Sequence, residues 1–134
     1  LLDGATGADT LRGEGGDDAL VYDVADLVMD GGADFDTLRV TGSGVSLDLT
    51  SDSRVQHIER LDLQAGNHSV TLDAARVLTL SDTGTLRIDG ANGAVNAGGS
   101  WTYLGDAGGY ARYSQAGATL EVALAVNRAG INTA

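Results

Sequence analysis

Single apolar residues recur every nine positions at the start of this chain. Leu2, Leu11, Leu20, Met29, Leu38 and Leu47 keep one phase without a slip. Hexapeptides rich in glycine and aspartate precede three of them: GATGAD (4–9), GEGGDD (13–18) and GGADFD (31–36). YDVADL (22–27) fills the same slot without glycine. The pattern predicts a six-residue turn followed by a three-residue strand with one inward side chain. A fixed short period marks a solenoid, in which each unit buries its apolar residue only against its neighbours. Successive turns then fall on opposite sides, so one full winding takes two repeats. Turn 13–18 comes to lie beneath turn 31–36, and turn 4–9 beneath turn 22–27.

After Leu47 the glycine turns fade but the strand rhythm persists. LDL (61–63), VTL (70–72), LTL (78–80) and LRI (86–88) read as in–out–in triplets with turn residues between them. Their inward set is Leu61, Leu63, Val70, Leu72, Leu78, Leu80, Leu86 and Ile88. Residues 73–78, DAARVL, also fit one helical turn. From Trp101 the alternation lengthens into WTYL (101–104), GYARYS (109–114) and ATLEVALAV (118–126), an antiparallel meander. Such a meander would cap the open end of a solenoid. Trp101, Tyr103, Tyr110 and Tyr113 gather there. A cap core accounts for them, and an aromatic platform for sugar or peptide is the alternative. The polar tail 127–134 is expected to be loose.

Charge sharpens this picture. The net charge is −11. Residues 1–36 hold nine Asp and Glu14 against Arg12 alone, whereas the remainder nearly balances. The acids are sixteen Asp and three Glu, and the short Asp side chain suits tight turns. An acidic block is often just a solvated face. Here it coincides with the repeat, and without cations it would repel itself. The chain has no Lys, so nucleic acid is not an expected partner. It has no Cys, hence no disulfide framework and no thiolate metal site. No segment has the apolar length of a membrane helix.

The spacing favours calcium. Neighbouring strands sit about 4.7–4.9 Å apart, which sets Asp18 over Asp36 at roughly that distance. Two bare carboxylates so placed repel by about 3 kcal/mol at an effective dielectric of ~20. A calcium ion midway would be about 2.4 Å from each, within the usual Ca–O range. Backbone carbonyls turned inward by the turns would complete the shell. Magnesium demands shorter bonds and strict octahedral geometry, and transition metals prefer His and Cys, which the turns lack. The first candidate site comprises Gly13, Gly15, Asp17 and Asp18 below with Gly32, Asp34 and Asp36 above. The second comprises Gly4, Thr6, Ala8 and Asp9 below, with Asp26 above. Asp26 lies one position early, because Leu27 occupies the expected Asp slot. DGANG (89–93) is a weaker third candidate through Asp89 and Asn92. One to three Ca2+ ions are therefore expected.

Motifs for catalysis are missing. There is no H-E-x-x-H, no G-x-S-x-G and no Walker loop, so no catalytic residue is assigned. The nonapeptide does carry a resemblance. Residues 1–48 resemble the closing calcium-binding repeats of RTX proteins exported by bacterial type I secretion. The segment IERLDLQAGNHSVTLDAARVLTLSDTGTLRIDGANGAVN (58–96) is similar to the block that follows such repeats in large RTX adhesins. Ala5, Glu14 and Asp34 depart from the motif at glycine positions. The resemblance implies an all-β fold: a right-handed parallel β-roll or β-solenoid with calcium turns at its N-terminal end, closed by an antiparallel cap. Residues 1–48 would be the calcium windings, 49–97 a metal-poor continuation, and 98–134 the cap with the secretion-signal region. It further implies the type I secretion ABC-transporter apparatus as partner and a secreted or cell-surface location. Leu1–Leu2–Asp3 fit the last slots of an earlier repeat, so a monomeric fragment of a larger chain is expected.

Overall fold

Three-residue strands with one buried centre open the fold. The computed structural model describes residues 1–133, which are mostly β. In β1 (Thr10–Arg12), β2 (Ala19–Val21), β3 (Val28–Asp30) and β4 (Thr37–Arg39), the inward residues are Leu11, Leu20, Met29 and Leu38. All four are buried, and each buried side chain of this size contributes about 1.5–3 kcal/mol. Pairing is parallel and apolar stacks on apolar: Leu11 faces Met29, and Leu20 faces Leu38.

The eighteen-residue winding does not persist. Thr10 pairs with Val28 and Ala19 with Thr37, each eighteen residues on. Thr37 pairs with Arg60, twenty-three residues on, and Arg60 pairs with Arg87, twenty-seven residues on. The extra length makes a third side. After β4 the chain adds β5 (Ser46–Asp48) before β6 (Val55–Gln56) and β7 (Arg60–Asp62). The next winding repeats the order with β8 (Ser69–Leu72), a helix α1 (Ala74–Leu80) and β9 (Thr85–Asp89). Strands β1, β3 and β6 form one sheet. The other runs β2-β4-β7-β9, then through β12 (Ala118–Ala123), β11 (Tyr110–Gln115) and β10 (Ala94–Ala107) to β8 and β5, and curls around the core, with β13 (Asn127–Thr133) also on β10.

The helix corrects one expectation. LTL (78–80) is the last turn of α1 rather than a strand, and the helical alternative for DAARVL is the one adopted. Asp73 caps it, accepting from Arg76 N at 2.8 Å. Ala74, Val77 and Leu80 then face the core at helical spacing, while Leu78 turns outward and is 45% exposed. The other seven residues assigned inward are buried.

The meander forms with its strands antiparallel: β10 (Ala94–Ala107), β11 (Tyr110–Gln115) and β12 (Ala118–Ala123). It starts before Trp101. Residues 94–97 of β10 pair in parallel with β8, and the same strand then turns antiparallel against β11. β12 returns in parallel to β9, joining the meander to the winding. The tail is not loose. Residues 127–133 form β13, parallel to β10, because Ile131 is buried and the free side of β10 needs partners for its amides.

Close stacking leaves no room for a side chain at several glycines, Gly13 and Gly31 among them. A Cβ on Gly13 would sit 2.3 Å from Gly31 O, and one on Gly31 would sit 2.2 Å from His57 O. A Cβ on Gly15 would meet nothing. Gly13→Ala and Gly31→Ala should each cost about 1–3 kcal/mol, whereas Gly15→Ala should be near neutral. Thermal unfolding of the three variants checks this, and equal effects at Gly13 and Gly15 would contradict the stacking.

Candidate metal centre

Each turn that precedes a strand has the same backbone form where the repeat is intact. Its second and fourth positions take positive φ: Ala5 (65°) and Gly7 (129°), Glu14 (71°) and Gly16 (94°), Gly32 (96°) and Asp34 (83°). Ala5, Glu14 and Asp34 thus hold a glycine-favouring conformation despite their side chains, which costs roughly 1–2 kcal/mol per residue. The glycine-free turn 22–27 contains no positive φ.

This form throws the sixth residue of each turn inward. The Asp36 side chain is fully buried, and its Oδ1 accepts from Asp18 N at 2.8 Å. One winding further, Asp36 N donates to Glu59 Oε2 at 3.0 Å, and Glu59 Oε1 accepts from Asp82 N at 3.0 Å. On the opposite side, Asp9 N donates to Asp26 Oδ1 at 3.1 Å. Asp26, Asp36 and Glu59 therefore each tie to the amide of an acid one winding earlier, and Glu59 spends its second oxygen on Asp82 N. In the aspartates one oxygen is left over. The Oδ2 atoms of Asp9, Asp18, Asp26 and Asp36 are all buried without a hydrogen-bond partner. Leaving one buried acceptor unpaired costs about 1–3 kcal/mol, more when it is charged.

Both candidate pairs are thus brought together, Asp18 with Asp36 and Asp9 with Asp26. Leu27, in the slot expected for Asp, is 60% exposed, while Asp26 is buried in its place. Gly13 and Gly4 form the floor of each site: added Cβ atoms would lie 2.7 Å from Asp18 Oδ2 and 2.6 Å from Asp9 Oδ2. Asp17 and Asp34 lie outside. Asp17 Oδ1 accepts from Phe35 N at 3.0 Å and Asp34 Oδ2 from Gly16 N at 3.1 Å, stitching the two turns at their rim. Gly15 pairs with Ala33 across the same gap. Gly32 donates its N–H to Asp30 Oδ1 at 3.1 Å and backs onto Glu14 O. Thr6 and Ala8 are exposed on the rim of turn 4–9. In the third candidate, Asp89 is engaged by Arg60 Nε at 2.5 Å and Tyr110 OH at 2.6 Å, and Asn92 is exposed.

The donor set suits a hard cation. Four buried oxygens lack partners, and they are carboxylate oxygens in pairs. No three His, Cys, Asp or Glu side chains converge on one metal position among the described residues. An ion at either pair would draw on two carboxylates and on main-chain oxygens, a ligand set that fits calcium.

Glu59 is the member that sequence reasoning missed. It is buried and directly precedes β7, as Asp18 precedes β2 and Asp36 precedes β4. An acid immediately before a strand was the available signal, but the change of period hid it. His68 stands in the same slot before β8. It is buried, its Nδ1 accepts from Val45 N at 3.0 Å, and its Nε2 lies under Gly66.

The aromatic cluster is mainly interior. Trp101 is buried, with Nε1 donating to Gly98 O at 3.1 Å. Tyr110 lies under the Arg87 guanidinium at 4.4 Å, and Tyr113 is buried. Only Tyr103, half exposed, offers a ring face. It leans on Tyr113 at 5.4 Å along an open groove of about 380 Å³ that includes Arg128 and Ile131.

No family model, curated protein or solved structure matches this chain.

Burial raises the carboxyl pKa of Asp36 above its ordinary 3.8, against the lowering effect of the Asp18 N–H; the charges of Glu59, Asp18 and Asp17 add to the rise. In the metal-free chain the sign follows directly. Above the folded-state pKa both folded and unfolded chains are ionised, and the folded one bears the full penalty. As pH falls through that pKa towards 3.8 the folded chain takes up the proton first, so this group adds stability on acidification. Asp36→Asn should therefore stabilise the metal-free chain at neutral pH, by about 1–3 kcal/mol, chiefly because a desolvated charge is removed. It should also flatten the pH dependence between 4 and 7. Urea unfolding in EDTA across that range measures both. Destabilisation at neutral pH would contradict the assignment.

Proposed function

We propose that this chain is a calcium-dependent folding module of the RTX type, carried by a protein that leaves the cell by type I secretion. The observation that carries the proposal is the set of four buried carboxylate oxygens without partners, at Asp9, Asp18, Asp26 and Asp36. On this reading the parallel windings are a β-roll with calcium turns. Calcium, when bound, supplies the positive charge that these oxygens lack. Asp18 and Asp36 would hold one ion, and Asp9 and Asp26 a second, with turn carbonyls completing each shell.

The residues themselves supply the switch. Residues 1–36 carry nine Asp and Glu14 against a single Arg, so unscreened repulsion opposes stacking of the first windings. Extracellular calcium modules have dissociation constants of about 10⁻⁴–10⁻³ M. Sites of that strength stay empty in the cytosol and leave the acidic windings open and exportable. Outside, binding free energy becomes folding free energy. Parallel windings already closed by the meander give the first ones a surface to stack on, which lowers their nucleation cost. The expected partners are the ABC-transporter apparatus and calcium, and the expected location is extracellular or at the cell surface. No helix of the described residues is long and apolar enough to cross a membrane. A second reading, a carbohydrate or peptide site at the groove, rests on the half-exposed Tyr103 ring.

The test is a calcium titration of the EDTA-treated chain followed by far-UV circular dichroism, with magnesium as control. Added β signal near millimolar calcium, absent with magnesium and lost in Asp18→Ala, is the expected result. A chain with unchanged β content and thermal midpoint from EDTA to millimolar calcium would sink the proposal.

A further inference from the structure

The gaps above the second candidate site hold arginine side chains. In this column, turn 4–9 is followed by turn 22–27, then by segment 49–54, then by α1. Arg54, at the end of that segment, reaches down to the glycine-free turn. Its Nη1 donates to Val24 O at 2.6 Å and to Asp26 O at 2.9 Å, while Nε and Nη2 hold the Asp52 carboxylate at 2.9 and 2.7 Å. Arg76, on α1, serves the next gap. Its Nε donates to Leu49 O at 2.7 Å, and its Nη2 donates to Asp52 O at 2.8 Å and Val55 O at 2.5 Å. Its Nη1 reaches Thr79 Oγ1 at 3.2 Å.

Main-chain carbonyls left without donors are costly, and turns that point several of them inward need a cation or an array of N–H groups. A guanidinium offers five N–H donors in a planar fork and keeps its charge when buried. Burial pulls the Arg76 pKa below the ordinary arginine value, against the nearby charges of Asp52 and Asp73, so the side chain accepts a desolvation cost to stay in its gap. The distribution of charge along the chain agrees. Arg12 is the lone basic residue among the first thirty-six, whereas seven Arg follow.

We propose that Arg54 and Arg76 are resident cations: in the second and third gaps of this column they hold the turn oxygens that a calcium ion would hold in the first. They set how far calcium dependence extends, since windings held by guanidinium fold without metal. The comparison with calcium rests on the function proposed above; the holding of the carbonyls by guanidinium does not.

The test is run on the full chain in EDTA. Arg54→Ala and Arg76→Ala should each lower the metal-free thermal midpoint by about 5–10 °C. Millimolar methylguanidinium, far below denaturing concentration, should restore part of each loss by entering the vacated gap. Urea at the same concentration is its neutral analogue and should restore none. If Arg76→Ala does not fold, recovery of its far-UV β signal with methylguanidinium is the expected result. Unchanged midpoints in both variants, or losses that methylguanidinium relieves no better than urea, overturn the proposal. A wild-type chain indifferent to calcium, with both variants rescued by methylguanidinium alone, would leave the resident cations standing and remove the calcium switch.

Discussion

The structure depends on a bond that each winding makes with the one before it, from a buried carboxylate to a main-chain amide. Asp36 takes the amide of Asp18, Glu59 takes that of Asp36, and Asp26 takes that of Asp9. These bonds set the register, because the strands between them have only three residues each and could slip. Four of the acids retain a second, buried oxygen with no partner. Stacking and charge therefore oppose one another: the contact that aligns the windings also concentrates negative charge in a place water does not reach.

The two halves of the chain resolve this opposition differently. Towards the C-terminal end the charges are paired within the protein. Arg60 meets Asp89, Arg87 meets Glu121, and Arg54 and Arg76 close the turns from inside. The core, one cluster from Leu11 to Ile131, is sealed at that end by the meander and β13. At the N-terminal end the windings are narrower, each contributes one apolar residue per strand, and compensating cations are nearly absent from the chain. Stability should accordingly fall from the meander towards Leu2, with the acidic windings as the least stable unit.

Much of this was legible in the sequence because the nonapeptide has a strict phase. Leu11, Leu20, Met29 and Leu38 could be assigned inward, and Asp18 set over Asp36, by counting alone. Asp26 was legible as a displaced partner for Asp9. The positive φ of Ala5, Glu14 and Asp34 follows from the same phase, because the position in the turn rather than the residue type dictates it. What was not legible begins where the period ends. A third side enters with β5, the acid in the ladder becomes Glu59, and counting by nine no longer finds it. LTL (78–80) alternates like a strand but belongs to α1, because the cap at Asp73 and the spacing of Ala74, Val77 and Leu80 outweigh local alternation. The roles of Arg54 and Arg76 are tertiary, since each guanidinium reaches across a gap whose existence the local sequence does not announce.

On the proposed function, the first windings, and they alone, wait for a cation. Amide hydrogen exchange resolved by residue, in EDTA and again in millimolar calcium, tests it most directly. The amides of Asp9 and Asp18, with those of β1 and β2, are expected to exchange freely in EDTA and become protected in calcium, while β7, β9 and β12 are protected in both. Equal protection of Asp18 with and without calcium would contradict it.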